Sequence, residues 1–123
     1  MLAGQGDADG AKAAYQRAID SGHADAAPEA AVGLGVLLEG QGDVDGAKAA
    51  YQRAIDSGQA DAAPMAAFNL GHLLQGQGDT DGAKAAYQRV IDSGHAQAAP
   101  MAARNLGALP EGQGDTDGAK TAR

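Results

Sequence analysis

Three kinds of side chain in this sequence could do chemistry: paired aspartates, histidines and serines. The aspartates stand in Asp7-Ala8-Asp9-Gly10, Asp43-Val44-Asp45-Gly46 and Asp79-Thr80-Asp81-Gly82, the opening pattern of a calcium loop. Such a loop also needs a bidentate glutamate at its twelfth position. Counting from Asp7, Asp43 and Asp79, that position holds Ala18, Ala54 and Val90. The aspartates read better as caps on helix N-termini, where a carboxylate accepts from free N–H groups and complements the dipole. His23, His72 and His95 form no i, i+4 pair and have no cysteine to join them, so loop or groove positions are expected rather than a metal site. Ser21, Ser57 and Ser93 each lie near a histidine or glutamine, but they recur with the sequence period, as helix-end residues do, whereas a nucleophile is usually unique. The Gly-Gln-Gly turns run into aspartate and no Gly-Lys-Ser/Thr appears, so they do not cradle phosphate. No catalytic residue, metal or cofactor is expected.

The element that positions all of these is an internal repeat. Gln5, Gln41, Gln77 and Gln113 mark the same point every 36 residues, and residues 41–76 differ from 77–112 at 8 of 36 positions. A period of about 20–50 residues is the signature of a stacked repeat architecture. The expected division is a half repeat over 1–27, repeats over 28–63 and 64–99, and an incomplete repeat over 100–123.

Composition narrows the function classes. A net charge of −7 and a pI near 4.6 argue against nucleic acid and anionic membranes as partners. Without cysteine there is no disulfide framework, zinc-thiolate site or thiol catalysis. No apolar run approaches the roughly 20 residues of a membrane span, and no signal-type segment opens the chain, which makes the cytoplasm the expected compartment. Aromatic residues are confined to Tyr15, Tyr51, Tyr87 and Phe68, so each unit buries mainly small side chains and must lean on its neighbours.

Each unit reads as two helices. Ala47, Ala50, Tyr51, Ala54 and Ile55 fall at i, i+3, i+4, i+7 and i+8, a single apolar stripe. Ser57-Gly58 closes that helix. The partner helix opens at Pro64, proline being tolerated in a first turn, and carries Ala67, Leu70, Leu73 and Leu74 up to Gly76-Gln77-Gly78. Helices are predicted near 10–20, 28–39, 45–57, 64–75, 81–93 and 100–109. Gly33, Gly35, Gly71 and Gly107 lie inside the first helices at a cost of about 1 kcal/mol each against alanine, and mark places where a neighbouring helix comes close.

With these residues in view, the chain resembles the tetratricopeptide repeat family. Leu70-Gly71 matches its Leu-Gly in the first helix, Gly78-Asp79 its turn, and Ala83, Tyr87 and Val90 its small–aromatic–small pattern in the second. The resemblance departs at Ala31, Ala67 and Ala103, where the family has a large aromatic, in the 36-residue period, and in the position of Pro28, Pro64 and Pro100. The connection Asp20 to Ala30 is also similar to Sel1-like repeats. The implied fold is an all-α, right-handed α-solenoid, and the implied role is a non-catalytic module binding a protein or peptide.

The resemblance also implies where a partner would lie, on the concave surface of the first helices. Carried across, its positions are Glu29, Val32, Val36 and Glu39, then Met65, Phe68, His72 and Gln75, then Met101, Arg104, Ala108 and Glu111, with Asn69 and Asn105 beside them. Arg104 is the one cation there, so the family's carboxylate-clamping mode does not fit. Met65 and Phe68 could equally pack between repeats. A second expectation is self-association, with a dimer preferred. The apolar stripe of the first second-helix (Ala11, Ala14, Tyr15, Ala18, Ile19) and that of the last first-helix (Ala103, Leu106, Leu109) would pair between chains.

Overall fold

The computed structural model describes the backbone of residues 2–110 and the side chains from residue 7. The elements in order are α1 (Leu2–Asp20), α2 (Ala26–Gly40), α3 (Val44–Ser57), α4 (Ala62–Gly76), α5 (Thr80–Ser93) and α6 (Ala98–Ala108). No strand occurs among the described residues. Helix pairs α2–α3 and α4–α5 are antiparallel hairpins, each second helix also packing on the first helix of the next pair, as do α1 on α2 and α5 on α6. The result is an all-α helical repeat solenoid.

Local chemistry fixes the element ends. Asp43 Oδ1 accepts from the Gly46 N–H at 3.0 Å, and Asp79 Oδ1 from Gly82 at 2.9 Å, the expected N-caps. A Cβ at Gly82 would stand 2.8 Å from the Asp79 carboxyl carbon, so the glycine of Asp-x-Asp-Gly clears space for the cap. The preceding turn needs Gly42 and Gly78 at φ 82°, open to glycine and strained for other residues. It returns the Asp43 and Asp79 N–H groups to Leu38 O and Leu74 O at 2.9 Å.

Helices α2, α4 and α6 start two residues ahead of their prolines, at Ala26, Ala62 and Ala98. The prolines sit deeper in the first turn than expected, where their missing N–H still removes no intrahelical bond. The larger departure is α1. It runs straight from Leu2 through Gly4-Gln5-Gly6, where the equivalent residues of later repeats turn the chain. The later turns hang on carbonyls of a preceding helix end, at Leu38 and Leu74.

The core is alanine-rich and keyed by two tyrosines. Tyr51 and Tyr87 are fully buried, together with Ala47, Ala54, Ala67, Ala83 and Val90. An aromatic side chain removes about 150–250 Å² from water, about 4–6 kcal/mol at 25 cal/mol per Å², several times what an alanine contributes. Each ring lies against a glycine of the preceding helix: Tyr51 on Gly35 and Tyr87 on Gly71, where a Cβ would come within 2.8 Å of the Tyr87 ring. Tyr15 lies instead on Gly33 of the helix that follows it. The close approach expected at Gly33, Gly35 and Gly71 is therefore a tyrosine face, whereas at Gly107 the expectation fails, since nothing among the described residues lies within 4 Å of a Cβ there.

Curvature follows from which helices meet their own kind. α2 touches α4 and α4 touches α6, whereas α1, α3 and α5 make no comparable contact with one another. The array closes up on the first-helix side and splays on the other. The inner face is thus the face of α2, α4 and α6.

Candidate binding groove

The inner face carries the exposed large hydrophobic side chains. Among the described residues these are Val36 at 53%, Met65 at 45% and Met101 at 46% exposure, on α2, α4 and α6 in turn. Two clefts lie between successive first helices. The α2–α4 cleft, about 250 Å³, is lined by Glu29, Val32, Asp61, Ala62 and Met65. The α4–α6 cleft, also about 250 Å³, is lined by Met65, Phe68, Asn69, Gln97, Ala98 and Met101. Both are smaller than the roughly 300–1,000 Å³ of small-molecule sites, and suit single side chains of a larger ligand.

The sequence-predicted groove residues divide accordingly. Val32, Met65, Phe68, Asn69 and Met101 line the clefts. Val36, His72 and Arg104 are exposed but line neither. Phe68 is half-buried, its ring centroid 5.7 Å from that of Tyr87 at 51°, so it is also packed against the core. Asn105 is turned toward Tyr87, its Nδ2 donating to the hydroxyl at 3.5 Å. Sequence reasoning missed Asp61, Ala62, Gln97 and Ala98, which enter the clefts from the N-terminal ends of α4 and α6. The exchange of Asp61 for Gln97 between near-identical repeats was the available signal.

Below the groove the tyrosine hydroxyls tie helix to helix. Tyr51 donates to Glu39 Oε1 at 2.8 Å, and Tyr87 to Gln75 Oε1 at 3.0 Å. Burial pushes the Tyr51 phenol well above its ordinary value, and the Glu39 carboxylate pushes it further through the hydrogen bond and its charge. Burial also raises Tyr87, opposed by the hydrogen bond from Asn105. Glu39 and Gln75, expected in the groove, are thus engaged with the core tyrosines.

The residues that suggested chemistry have structural partners. The hydroxyls of Ser21, Ser57 and Ser93 donate to the carbonyls of Ala18, Ala54 and Val90. His95 is a bridge: Nδ1 accepts from the Ala98 N–H at 3.1 Å, and Nε2 lies 3.2 Å from Asp61 Oδ1. Gln59 does the same one repeat earlier, Oε1 accepting from Ala62 at 2.6 Å and Nε2 donating to Asp25 at 3.3 Å. The match assigns His95 the Nε2–H tautomer, with Nδ1 as the acceptor. His23 Nδ1 accepts from the Ala26 N–H at 3.4 Å. His23 and His95 are therefore helix caps, and of the three histidines only His72 is on the groove face.

The self-association residues are unevenly available. Ile19 is buried at 4% exposure, packed in the same core as Ala30, Ala31 and Leu34. That corrects the expectation that it stands open to another chain, because α2 covers its end of the stripe. Tyr15 and Ala18 are half-buried, as are Leu106 and Leu109, while Ala103 is exposed.

Paired antiparallel helices stacked with their first members inward define a helical-hairpin repeat protein. A profile of the tetratricopeptide repeat family matches residues 2–64 and 68–121, and the chain belongs to that family. Repeats of this family mediate protein–protein interaction. No curated protein matches the sequence. No helix among the described residues is long and apolar enough to cross a membrane.

Proposed function

We propose that this chain is a non-catalytic interaction module that holds a segment of another protein along the inner face of α2, α4 and α6. The observation that carries this reading is the confinement of Val36, Met65 and Met101, the exposed large hydrophobics of the described residues, to that face. Clustered exposed apolar groups mark interaction surfaces, and methionine adapts its shape to a partner. The near-identical repeats also diverge there. Of their 8 differences in 36, the pairs 61/97, 68/104 and 72/108 fall on groove or cleft positions, while Glu111, expected in the groove, lies outside the described residues.

The test is selection of a displayed library of random peptides against the protein. Met65→Ser and Met101→Ser should each weaken recovered peptides by about tenfold, as anchor losses of about 1–3 kcal/mol do, with helicity unchanged. Phe68→Ala should weaken them similarly, but its contact with Tyr87 makes it the less clean variant. Peptides indifferent to both methionine changes would sink the reading.

Self-association is the second reading, favoured by one observation. Leu106 and Leu109 on α6, like Tyr15 and Ala18 on α1, are apolar side chains left only half-buried. In this reading the face of Ala103, Leu106 and Leu109 takes up the Tyr15–Ala18 stripe of a second copy, and a dimer is the preferred form. Light scattering should then give a mass of two chains at micromolar concentration, reduced to one by Leu106→Glu. A single-chain mass throughout removes this reading and leaves the groove.

A further inference from the structure

The two inner clefts are one structural site made twice, and their chemistry differs. Adding the 36-residue period to the first lining set converts Glu29 to Met65, Val32 to Phe68, Asp61 to Gln97, Ala62 to Ala98 and Met65 to Met101. The apolar floor is kept, while both carboxylates become uncharged side chains. Glu29 is exposed and has no ion pair among the described residues. Asp61 lies at the opposite lip, its Oδ1 against His95 Nε2. Beyond the second cleft the groove turns cationic, with exposed Arg104 at the position held by Phe68 one repeat earlier. The groove is therefore graded along its length, from acidic through apolar to basic.

We propose, resting on the groove reading above, that the occupant is an extended peptide segment with a lysine or arginine in the α2–α4 cleft and an apolar side chain in the α4–α6 cleft. Charge complementarity selects the basic residue: its stem packs on Val32 and Met65 while its cation meets Glu29 and Asp61. Successive packed helices are about 8–10 Å apart, and a polyproline-II segment puts residues i and i+3 on one face at about 9 Å. The motif is thus basic–x–x–apolar. Arg104 fixes the direction, because a reversed peptide would bring its cation toward that guanidinium. A second copy of this chain fits poorly, since its net charge of −7 opposes approach to the acidic cleft.

The test uses labelled peptides carrying Lys-Pro-Pro-Leu, Glu-Pro-Pro-Leu or Leu-Pro-Pro-Lys in neutral flanks, followed by fluorescence anisotropy. The first should bind about tenfold or more tighter than the second, and tighter than the third. Glu29→Gln should cost the first peptide about threefold, in keeping with a partly exposed pair, and raised salt should weaken it. Circular dichroism checks that the variant stays folded. If Glu-Pro-Pro-Leu binds as well and Met101→Ser still abolishes binding, the charge assignment is wrong and the groove reading stands. Equal binding of Leu-Pro-Pro-Lys overturns the direction and with it the assignment of a cleft to each residue. If no peptide, including those from the random library, depends on Met65 or Met101, both readings fall.

Discussion

Tyr51 and Tyr87 occupy the same place in successive repeats, yet their hydroxyls meet different partners. Tyr51 donates to the carboxylate of Glu39, while Tyr87 donates to the neutral amide of Gln75 and accepts from Asn105. Both rings are fully buried on a glycine, so the seat of the ring is shared, while the polar end differs and Tyr87 alone carries the Phe68 ring against it among the described residues. The pair sets a shared seat against unlike partners: the glycine contact is common to both repeats, while the hydroxyl partner and the side chain beside the ring are not.

The largest effect should come from attacking the shared feature. Gly71→Val would drive side-chain atoms into the Tyr87 ring, and overpacking of that kind costs about 3 kcal/mol. A methyl group at Gly107 would meet nothing within 4 Å among the described residues, so Gly107→Ala should stabilise by up to about 1 kcal/mol through helix propensity. Chemical denaturation of both variants measures the contrast. If the two changes cost the same, the tyrosine–glycine contact is not what keys the junction.

Alkaline pH probes both tyrosines at once. Their folded values lie above the unfolded value of about 10. The stability they contribute is complete below about pH 10 and is lost as pH rises toward the folded values, because the unfolded phenols ionise first. In a Tyr15→Phe background, which removes the half-buried tyrosine from the signal, helicity should fall above about pH 10 together with the growth of tyrosinate absorbance. Tyrosinate appearing well before helix loss would contradict the burial of these rings.

Smaller effects sharpen the difference at the polar end. Tyr51→Phe should cost about 1.5 kcal/mol and Tyr87→Phe about 1 kcal/mol, since a bond to a charged group contributes more than a neutral one. Glu39→Gln should make the Tyr51 junction behave like that of Tyr87, which a double-mutant cycle with Tyr51→Phe would read directly. Smallest of all, His95→Gln should change stability by less than about 0.5 kcal/mol, while His95→Ala should cost about 1 kcal/mol as a lost cap. Thermal melts at neutral pH compare the two.

The helices were legible because the stripe Ala47-Ala50-Tyr51-Ala54-Ile55 repeats at helical period, and every member of it is buried. The aspartate caps were legible too, since capping acts within a few residues. What the sequence did not expose depends on register between helices. The Tyr51–Glu39 bond joins residues 12 apart across a turn, and Glu39 alone looks like a solvent-facing groove residue. The role of His95 was hidden because its partners are a backbone N–H after a loop and an aspartate 34 residues earlier. Gln59 in the same place was the clue, as an amide and a neutral imidazole offer the same donor and acceptor. The continuous α1 was hidden because Gly4-Gln5-Gly6 has the same spacing that turns the chain in the later repeats.

The one-sided contact between first helices places a hinge line along the inner side of the array. On its back, dents of about 170 and 250 Å³ recur one period apart, the first bounded by Gln16 and Arg53, the second by Gln52 and Arg89. Because α2, α4 and α6 touch and the outer helices do not, bending pivots on the inner line. Tighter curling narrows the inner clefts and widens the outer dents, and uncurling does the reverse. A groove built this way is tuned in width by residues that never touch its contents.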